Sequence, residues 1–199
     1  MDELRFDILG EAGNIGAAHA ATALGQLVER TVMIEVTRVE EATDGALPAL
    51  AGPPDALAAG VTFHIVGDAG GRILLWLSRD AAVEMVDLLS RRPIGSTKAL
   101  NEMGHSAVKE AGNIMASAYL TGLCDFSGLL LMPSVPSLLF DRSGAVMETA
   151  ADGVERKEGK LLCVANRFQV LDSGVSGCLF FFFDAGGENL LVENAAGAF

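Results

Sequence analysis

Two long stretches of the chain carry a narrow line of polar residues on a small and apolar background. They run from about residue 2 to 28 and from about residue 98 to 123, and both are rich in Ala, Gly, Leu and Ile. On a helix that turns 100° per residue, Asp7, Glu11 and Asn14 fall within an arc of roughly 60°. The pattern predicts two long helices, each with one polar stripe.

The second stripe repeats the first. The pentapeptide Glu-Ala-Gly-Asn-Ile at residues 11–15 returns unchanged at residues 110–114, and Ser106, Glu110 and Asn113 share one arc of the second helix. A shift of 99 residues also superposes Met33 on Met132. The repeat predicts two halves, residues 1–95 and 96–199.

Period-two alternation of apolar residues predicts the strands. Val32, Ile34 and Val36 alternate with polar residues and indicate a strand at 31–39. The same reasoning predicts hairpins at 61–66 with 72–77 and at 160–170 with 177–183, a helix at 79–89, a linker at 91–97, and an edge or bulged strand at 129–139. Residues 40–59 and 141–159 are predicted to be loops, and the tail after residue 184 to hold at most a short helix.

Each half thus reads as a long helix followed by three strands. The expected fold is α+β: a single domain with an internal pseudo-twofold repeat, a mostly antiparallel sheet of about six strands, and both long helices on one face. Both stripes then face solvent from the same side.

Composition excludes several classes of function. The chain has 199 residues, half of them hydrophobic, which is enough for a substantial core. With 14 Lys plus Arg against 26 Asp plus Glu, it lacks the basic footprint of a nucleic-acid or anionic-lipid binder. No apolar run reaches the ~20 residues of a membrane span, and the acidic amino end differs from a signal peptide. Three cysteines without disulfide or metal-ligand spacing favour a reducing compartment, so a cytoplasmic protein is expected.

The candidate chemistry is that of the repeated Glu and Asn. His19, His64 and His105 have no metal-ligand spacing, there is no phosphate-binding loop, and no metal site is expected. A carboxamide donates one hydrogen bond and accepts another, which suits it to orienting an attacking water molecule. A carboxylate one turn away can hold a metal ion or a partner's lysine. The pair suffices for phosphoryl transfer if the partner supplies the metal.

The stripes resemble the signature of the CheC family, phosphatases of the phosphorylated chemotaxis response regulator CheY. That signature is Asp or Ser, then Glu, Asn and a proline, with three, two and 22 residues between them. The second copy matches it throughout with Ser106, Glu110, Asn113 and Pro136. The first copy has Thr37 in the place of the proline.

The resemblance implies a mechanism. Asn14 or Asn113 enters the active site of a phosphorylated CheY-type regulator and orients a water molecule in line with the phosphorus. Glu11 or Glu110 pairs with the regulator's lysine. The Mg²⁺ belongs to the regulator, and the chain needs no cofactor of its own. Asp7, Ser106, Gly10 and Pro136 are expected to contact the partner.

Other readings remain open at this point. Related domains of flagellar switch proteins bind without catalysis, and family members bind the chemotaxis deamidase CheD, which makes an adaptor the alternative function. A third reading is a structural repeat with solvated stripes. The glycines and alanines beside the stripes, at residues 10, 13, 17, 112 and 116, serve either partner approach or helix packing.

Overall fold

The computed structural model describes residues 2–195, apart from the side chains of residues 2, 3 and 37. In chain order the elements are α1 (Asp2–Val28), β1 (Val32–Ala42), β2 (Leu57–Gly67), β3 (Gly71–Ser78), α2 (Arg79–Leu89), α3 (Glu102–Ser127), β4 (Leu131–Pro133), β5 (Ser137–Arg142), α4 (Ser143–Ala151), β6 (Leu161–Val170), β7 (Ser176–Phe183) and α5 (Ala185–Ala195). Across residues 2–195, no helix is both long and apolar enough to span a bilayer.

The strands form one antiparallel sheet in which the two halves exchange their first strands. The order is β1-β6-β7-β3-β2, and β4 and β5 lie end to end along the outer side of β2. β1 of the first half therefore pairs with β6 of the second, while β4 and β5 pair with β2 of the first. β3 and β7 join the halves at the centre. The predicted single α+β domain, with about six strand positions, is confirmed.

Both long helices cover the same face of this sheet. Leu9 and Leu24 of α1 and Val108 and Leu120 of α3 are buried in one cluster with the sheet residue Phe181. The predicted placement of the helices is confirmed. α3 begins at Glu102 rather than at residue 98 because the side chain of Asn101 caps it, accepting a hydrogen bond from the Gly104 amide at 2.9 Å.

The opposite face of the sheet is covered by a helix that the sequence does not predict. The loop expected at residues 141–159 is wrong, because α4 occupies Ser143–Ala151. Val146 and Met147 are fully buried against Leu74 and Phe180. The helix is only nine residues long, which is too short for a clear helical period in the sequence. The loop at 40–59 is also shorter than predicted, since β1 extends to residue 42, a 3-10 helix spans Leu47–Ala49, and β2 starts at residue 57.

The two edges of the sheet differ at equivalent positions. The edge strand predicted at 129–139 is interrupted between β4 and β5, where Pro136 has no N–H to donate, and regular pairing resumes at Ser137. In β1 the equivalent residue is 37, and there the strand continues with a shift of register between Val36 and Arg38. The side chain of Thr37 lies outside the described residues.

The tail contains a longer helix than the short one allowed for it. α5 has eleven residues and is capped by the preceding residue, Asp184, whose carboxylate accepts a hydrogen bond from the Gly187 amide at 2.6 Å. Ser78 caps α2 in the same way, accepting from the Ala81 amide at 3.1 Å. The two short helices therefore occupy matching positions at the ends of the hairpins.

Candidate functional site

The predicted catalytic residues lie on the solvent-facing sides of α1 and α3. Glu11, Asn14 and Glu110 are exposed and Asn113 is half-buried. Asp7 and Ser106, one turn earlier on their helices, are exposed as well. Because both helices cover one face of the sheet, the two stripes open outward from the same face of the molecule.

The glycine between Glu and Asn in each copy holds its helix on the sheet. A Cβ on Gly13 would come 2.9 Å from Val36 Cγ2 and 3.2 Å from Val164 Cγ1. A Cβ on Gly112 would come 3.1 Å from Val61 Cγ1. All three distances are tighter than ordinary contact, so the repeated pentapeptide buries its glycine and thereby turns the Glu and Asn away from the core.

Most of the small residues beside the stripes are needed for packing within the domain. Gly13, Gly112, Ala17 and Ala116 are buried and are explained by packing within the domain. Gly10 differs from them, because a Cβ built on it would meet nothing within 4 Å. Packing among the described residues therefore does not require a glycine at residue 10.

Tyr119 of α3 packs against the buried side of α1, the helix that carries the first stripe. Its ring stacks on Phe181 with centroids 3.7 Å apart, and it lies directly against Gly13 and Gly16 of α1. Burial raises the pKa of the Tyr119 hydroxyl, so this group stays protonated. Tyr119 therefore serves as a packing surface for α1 and not as an acid or a base.

The four stripe side chains are free to bind. Within residues 2–195, the side chains of Glu11, Asn14, Glu110 and Asn113 form no hydrogen bond or ion pair. The described part of the chain also has no group of three or more His, Cys, Asp or Glu residues arranged to hold a metal ion. The stripes thus present uncommitted carboxylate and carboxamide groups, able to bind a cation and to orient water on a partner.

The surroundings of the two stripes are not equivalent. Gly10 precedes Glu11, whereas Lys109 precedes Glu110 at the matching position. Lys109 lines a cavity of about 500 Å³ together with Pro136, which is half-buried in its wall, and His105 and Phe140. Lys109, His105 and Phe140 are not among the site residues predicted from the sequence, although the exchange of Gly10 for Lys109 under the 99-residue shift is visible there.

Comparison with known proteins identifies the family of this chain. The model of the CheC-like family matches residues 6–36 and 103–139, which contain both stripes. The CheY-P phosphatase CheC of Bacillus subtilis (strain 168) is 36% identical over 149 residues, which are 74% of this chain and 71% of that protein. The chain belongs to the CheC-like family.

Solved structures of flagellar and chemotaxis proteins share the fold. FliY of Thermotoga maritima superposes with a TM-score of 0.79 at 21% identity, covering 97% of this chain and 96% of that one. The FliM middle domain from H. pylori gives 0.65 at 11% identity, covering 96% and 97%. A chemotaxis protein CheX from Desulfovibrio desulfuricans gives 0.58 at 13%, covering 87% and 99%. At these identities the likeness shows a shared fold, and function must be argued from the stripes.

Proposed function

We propose that this CheC-like protein is a phosphatase that hydrolyses the aspartyl phosphate of a CheY-type response regulator. The observation that carries the proposal is the pair of intact Glu-x-x-Asn stripes, which face solvent on one side of the molecule and whose side chains have no partner among the described residues. The relative in Bacillus subtilis bears the name CheY-P phosphatase, which supports the same reaction.

In the proposed reaction this protein positions the attacking water molecule, and the regulator supplies the metal ion. The Asn14 or Asn113 carboxamide accepts a hydrogen bond from a water molecule and holds it in line with the phosphorus. The water oxygen bonds to phosphorus as the bond to the aspartyl oxygen breaks, and inorganic phosphate and a free carboxylate result. The regulator's Mg²⁺ neutralises the charge on the phosphoryl oxygens.

Glu11 and Glu110 fix the partner. Each carboxylate pairs with the regulator's active-site lysine, a charge-assisted contact that strengthens when docking removes water from it. Asp7 and Ser106 contact the rim of the interface, and Gly10 lets a loop of the regulator approach α1.

The test is the decay rate of the phosphorylated regulator from the same organism, with and without this protein. Acceleration by the unaltered chain that Asn14→Ala plus Asn113→Ala abolishes is the expected result, and the single changes assign the activity to a stripe. A decay rate unaffected by the unaltered chain contradicts the proposal.

An adaptor is the second candidate, favoured by the fold shared with FliY and FliM. CheD is a candidate partner for that role. Binding of the regulator or of CheD without any acceleration of phosphate loss would place the chain in the adaptor class. Intact Glu and Asn in both stripes favour catalysis, because a protein that only binds has no need of the Asn.

A further inference from the structure

The sheet has two outer edges, β1 at the first end of the molecule and β5 at the second end. The contacts between the edge strand and the long helix differ at the two ends. Glu41 of β1 pairs with Leu162, and at the equivalent place on the other edge Phe140 of β5 pairs with Ala59. Glu41 and Phe140 are 99 residues apart, as are the two stripes. A carboxylate on one edge is therefore matched by an aromatic ring on the other.

At the first end an ion cluster ties α1 to the edge strand. Arg5 donates hydrogen bonds to Glu188 of α5 and, at 3.0 Å, to Glu41 of β1. Burial opposes the charge on Arg5, but the hydrogen bonds and attraction from the two carboxylates outweigh it and raise the pKa of the guanidinium. Burial likewise opposes the charge on Glu41, and hydrogen bonds from Arg5 and Lys160 outweigh it and lower the pKa of that carboxyl.

At the second end the residues of this cluster are absent. The shift of 99 residues places Gly104 where Arg5 stands, and a Cβ on Gly104 would already come 3.0 Å from Leu100 Cδ2. The fourth residue after the cap is Glu188 in α5 but Ala82 in α2. Without the ion cluster, α3 and the edge strand β5 leave an open groove between them.

This groove, lined by His105, Lys109, Pro136, Leu138 and Phe140, has a volume of about 500 Å³. The rings of His105 and Phe140 meet with centroids 5.8 Å apart and separate it from a second cavity of about 350 Å³, with a largely apolar lining, under the start of α3. Phe140 is 42% exposed, so part of its ring is accessible to a molecule that enters the groove.

The groove adjoins the second stripe. On α3, Lys109 is four residues before Asn113 and lies within 40° of it, while Glu110 lies 60° away on the other side. Asn113 is therefore flanked by the stripe carboxylate on one side and by the groove on the other. A partner that engages Asn113 over an ordinary interface area also covers the groove.

We propose that this groove receives an apolar side chain of the phosphorylated regulator, while Lys109 at its rim contacts the anionic surface around the phosphoaspartate. The inference rests on the proposed function and names the docking surface of the second stripe. Charge complementarity favours this occupant: the carboxylates and phosphoryl group around a regulator's Mg²⁺ make its site anionic, and the rim of the groove carries the cationic side chain of Lys109. The first stripe, with Asp7 and Glu11 and a closed cleft, offers no such contact.

The test measures binding of the regulator, trapped with beryllium fluoride as a stable mimic of its phosphorylated form, by titration calorimetry. Two parent variants each keep one working stripe. Glu11→Arg disables the first stripe and leaves the second able to bind, and Glu110→Arg does the reverse. Two substitutions are then made separately in each parent. Phe140→Glu introduces the residue type of Glu41, the equivalent position at the first end, and Lys109→Gly introduces the residue type of Gly10. Met33→Glu, an exposed apolar residue on the far edge, is the matched control.

With only the second stripe available, each groove variant is expected to raise the Kd by roughly tenfold, and Met33→Glu is expected to leave it unchanged. With only the first stripe available, none of the changes is expected to alter the Kd. An unchanged Kd in the first case, or the same loss in both, overturns the groove proposal alone. Failure of the unaltered chain to bind the regulator overturns the proposed function itself. Thermal unfolding of every variant checks that the fold is kept.

Discussion

Gly16 of α1 lies so close to Tyr119 of α3 that a Cβ on Gly16 would come 2.6 Å from two atoms of the ring. The ring has no room to retreat, because it is 1% exposed and stacks on Phe181. A Cβ on Gly122 of α3 would in turn come 3.2 Å from the Cα atom of Gly16. The helix that carries the first stripe is therefore positioned by a backbone-to-ring contact.

Gly16→Ala is expected to destabilise the protein by about 1–3 kcal/mol, because the overlap with Tyr119 outweighs the better helix propensity of alanine. Gly10→Ala is the matched control on the same helix. Its Cβ meets nothing within 4 Å, so the free energy of unfolding should stay level or rise by up to ~1 kcal/mol. Urea unfolding monitored by circular dichroism measures both. Equal effects of the two changes would show that the contact with Tyr119 does not position α1.

Arg5→Met is expected to cost about 3 kcal/mol, because it leaves Glu188, whose side chain is 3% exposed, without its partner in the interior. Arg142→Met removes the ion pair with Asp55, in which both side chains are largely exposed, and should cost at most ~1 kcal/mol. Unfolding free energies of the two variants give the comparison. If a second change, Glu188→Met, fails to recover any stability lost in Arg5→Met, the explanation by an unpaired buried carboxylate is wrong.

Asp87 predicts a specific dependence of stability on pH. It is fully buried at the end of α2 and accepts hydrogen bonds from the Thr97 amide at 3.0 Å and the Thr97 hydroxyl at 2.5 Å, holding the linker between the halves. Burial opposes its charge, but the hydrogen bonds from Thr97 and from the Gly95 and Ser96 amides outweigh that and lower the pKa of the carboxyl. Its contribution is therefore complete above the unfolded-state pKa of ~3.9 and is lost as the pH falls through the lower folded-state value.

Asp87→Asn should remove this part of the acid sensitivity. The variant is expected to be less stable at neutral pH by about 1–3 kcal/mol, with the difference from the parent shrinking below about pH 4. Unfolding free energies measured from about pH 3 to about pH 7 test it. A difference that stays constant over this range would mean that the ionised form of Asp87 has no special stability in the fold.

The sequence reveals the stripes and the repeat because each can be recognised from the order of residues alone, without knowing which residues are in contact. Glu11 and Asn14 share one turn of a helix, and the same five residues return at Glu110, so periodicity alone predicts their common face. The fold class follows from the order of elements within each half. These features need no knowledge of which strand pairs with which.

What the sequence does not reveal depends on long-range pairing. Phe140 meets His105 only because β5 of the second half pairs with β2 of the first, and Arg5 meets Glu41 and Glu188 only because α1, β1 and α5 converge at the opposite end. α4 was missed for a related reason. Its buried residues, such as Val146, are apolar to suit a sheet face assembled from both halves, and no local period marks them.

Asn113→Asp tests whether the carboxamide orients water. In a chain whose first stripe is disabled by Asn14→Ala, this nearly isosteric change is expected to lower kcat for phosphate loss on the order of 100-fold, the scale typical of removing a positioned hydrogen-bonding group from an active site. The carboxylate carries a negative charge, which repels the phosphoryl oxygens, whereas the carboxamide is neutral. KM should change far less, because Glu110 and the groove remain.

Asn189→Asp, at an exposed position on α5, is the matched control and should leave both kcat and KM as they are. Single-turnover decay of the phosphorylated regulator over a range of protein concentrations separates the two constants. A rise in KM at constant kcat for Asn113→Asp would assign the asparagine to binding. The water would then have to be oriented by a group of the regulator, and this chain would act by holding that group in place.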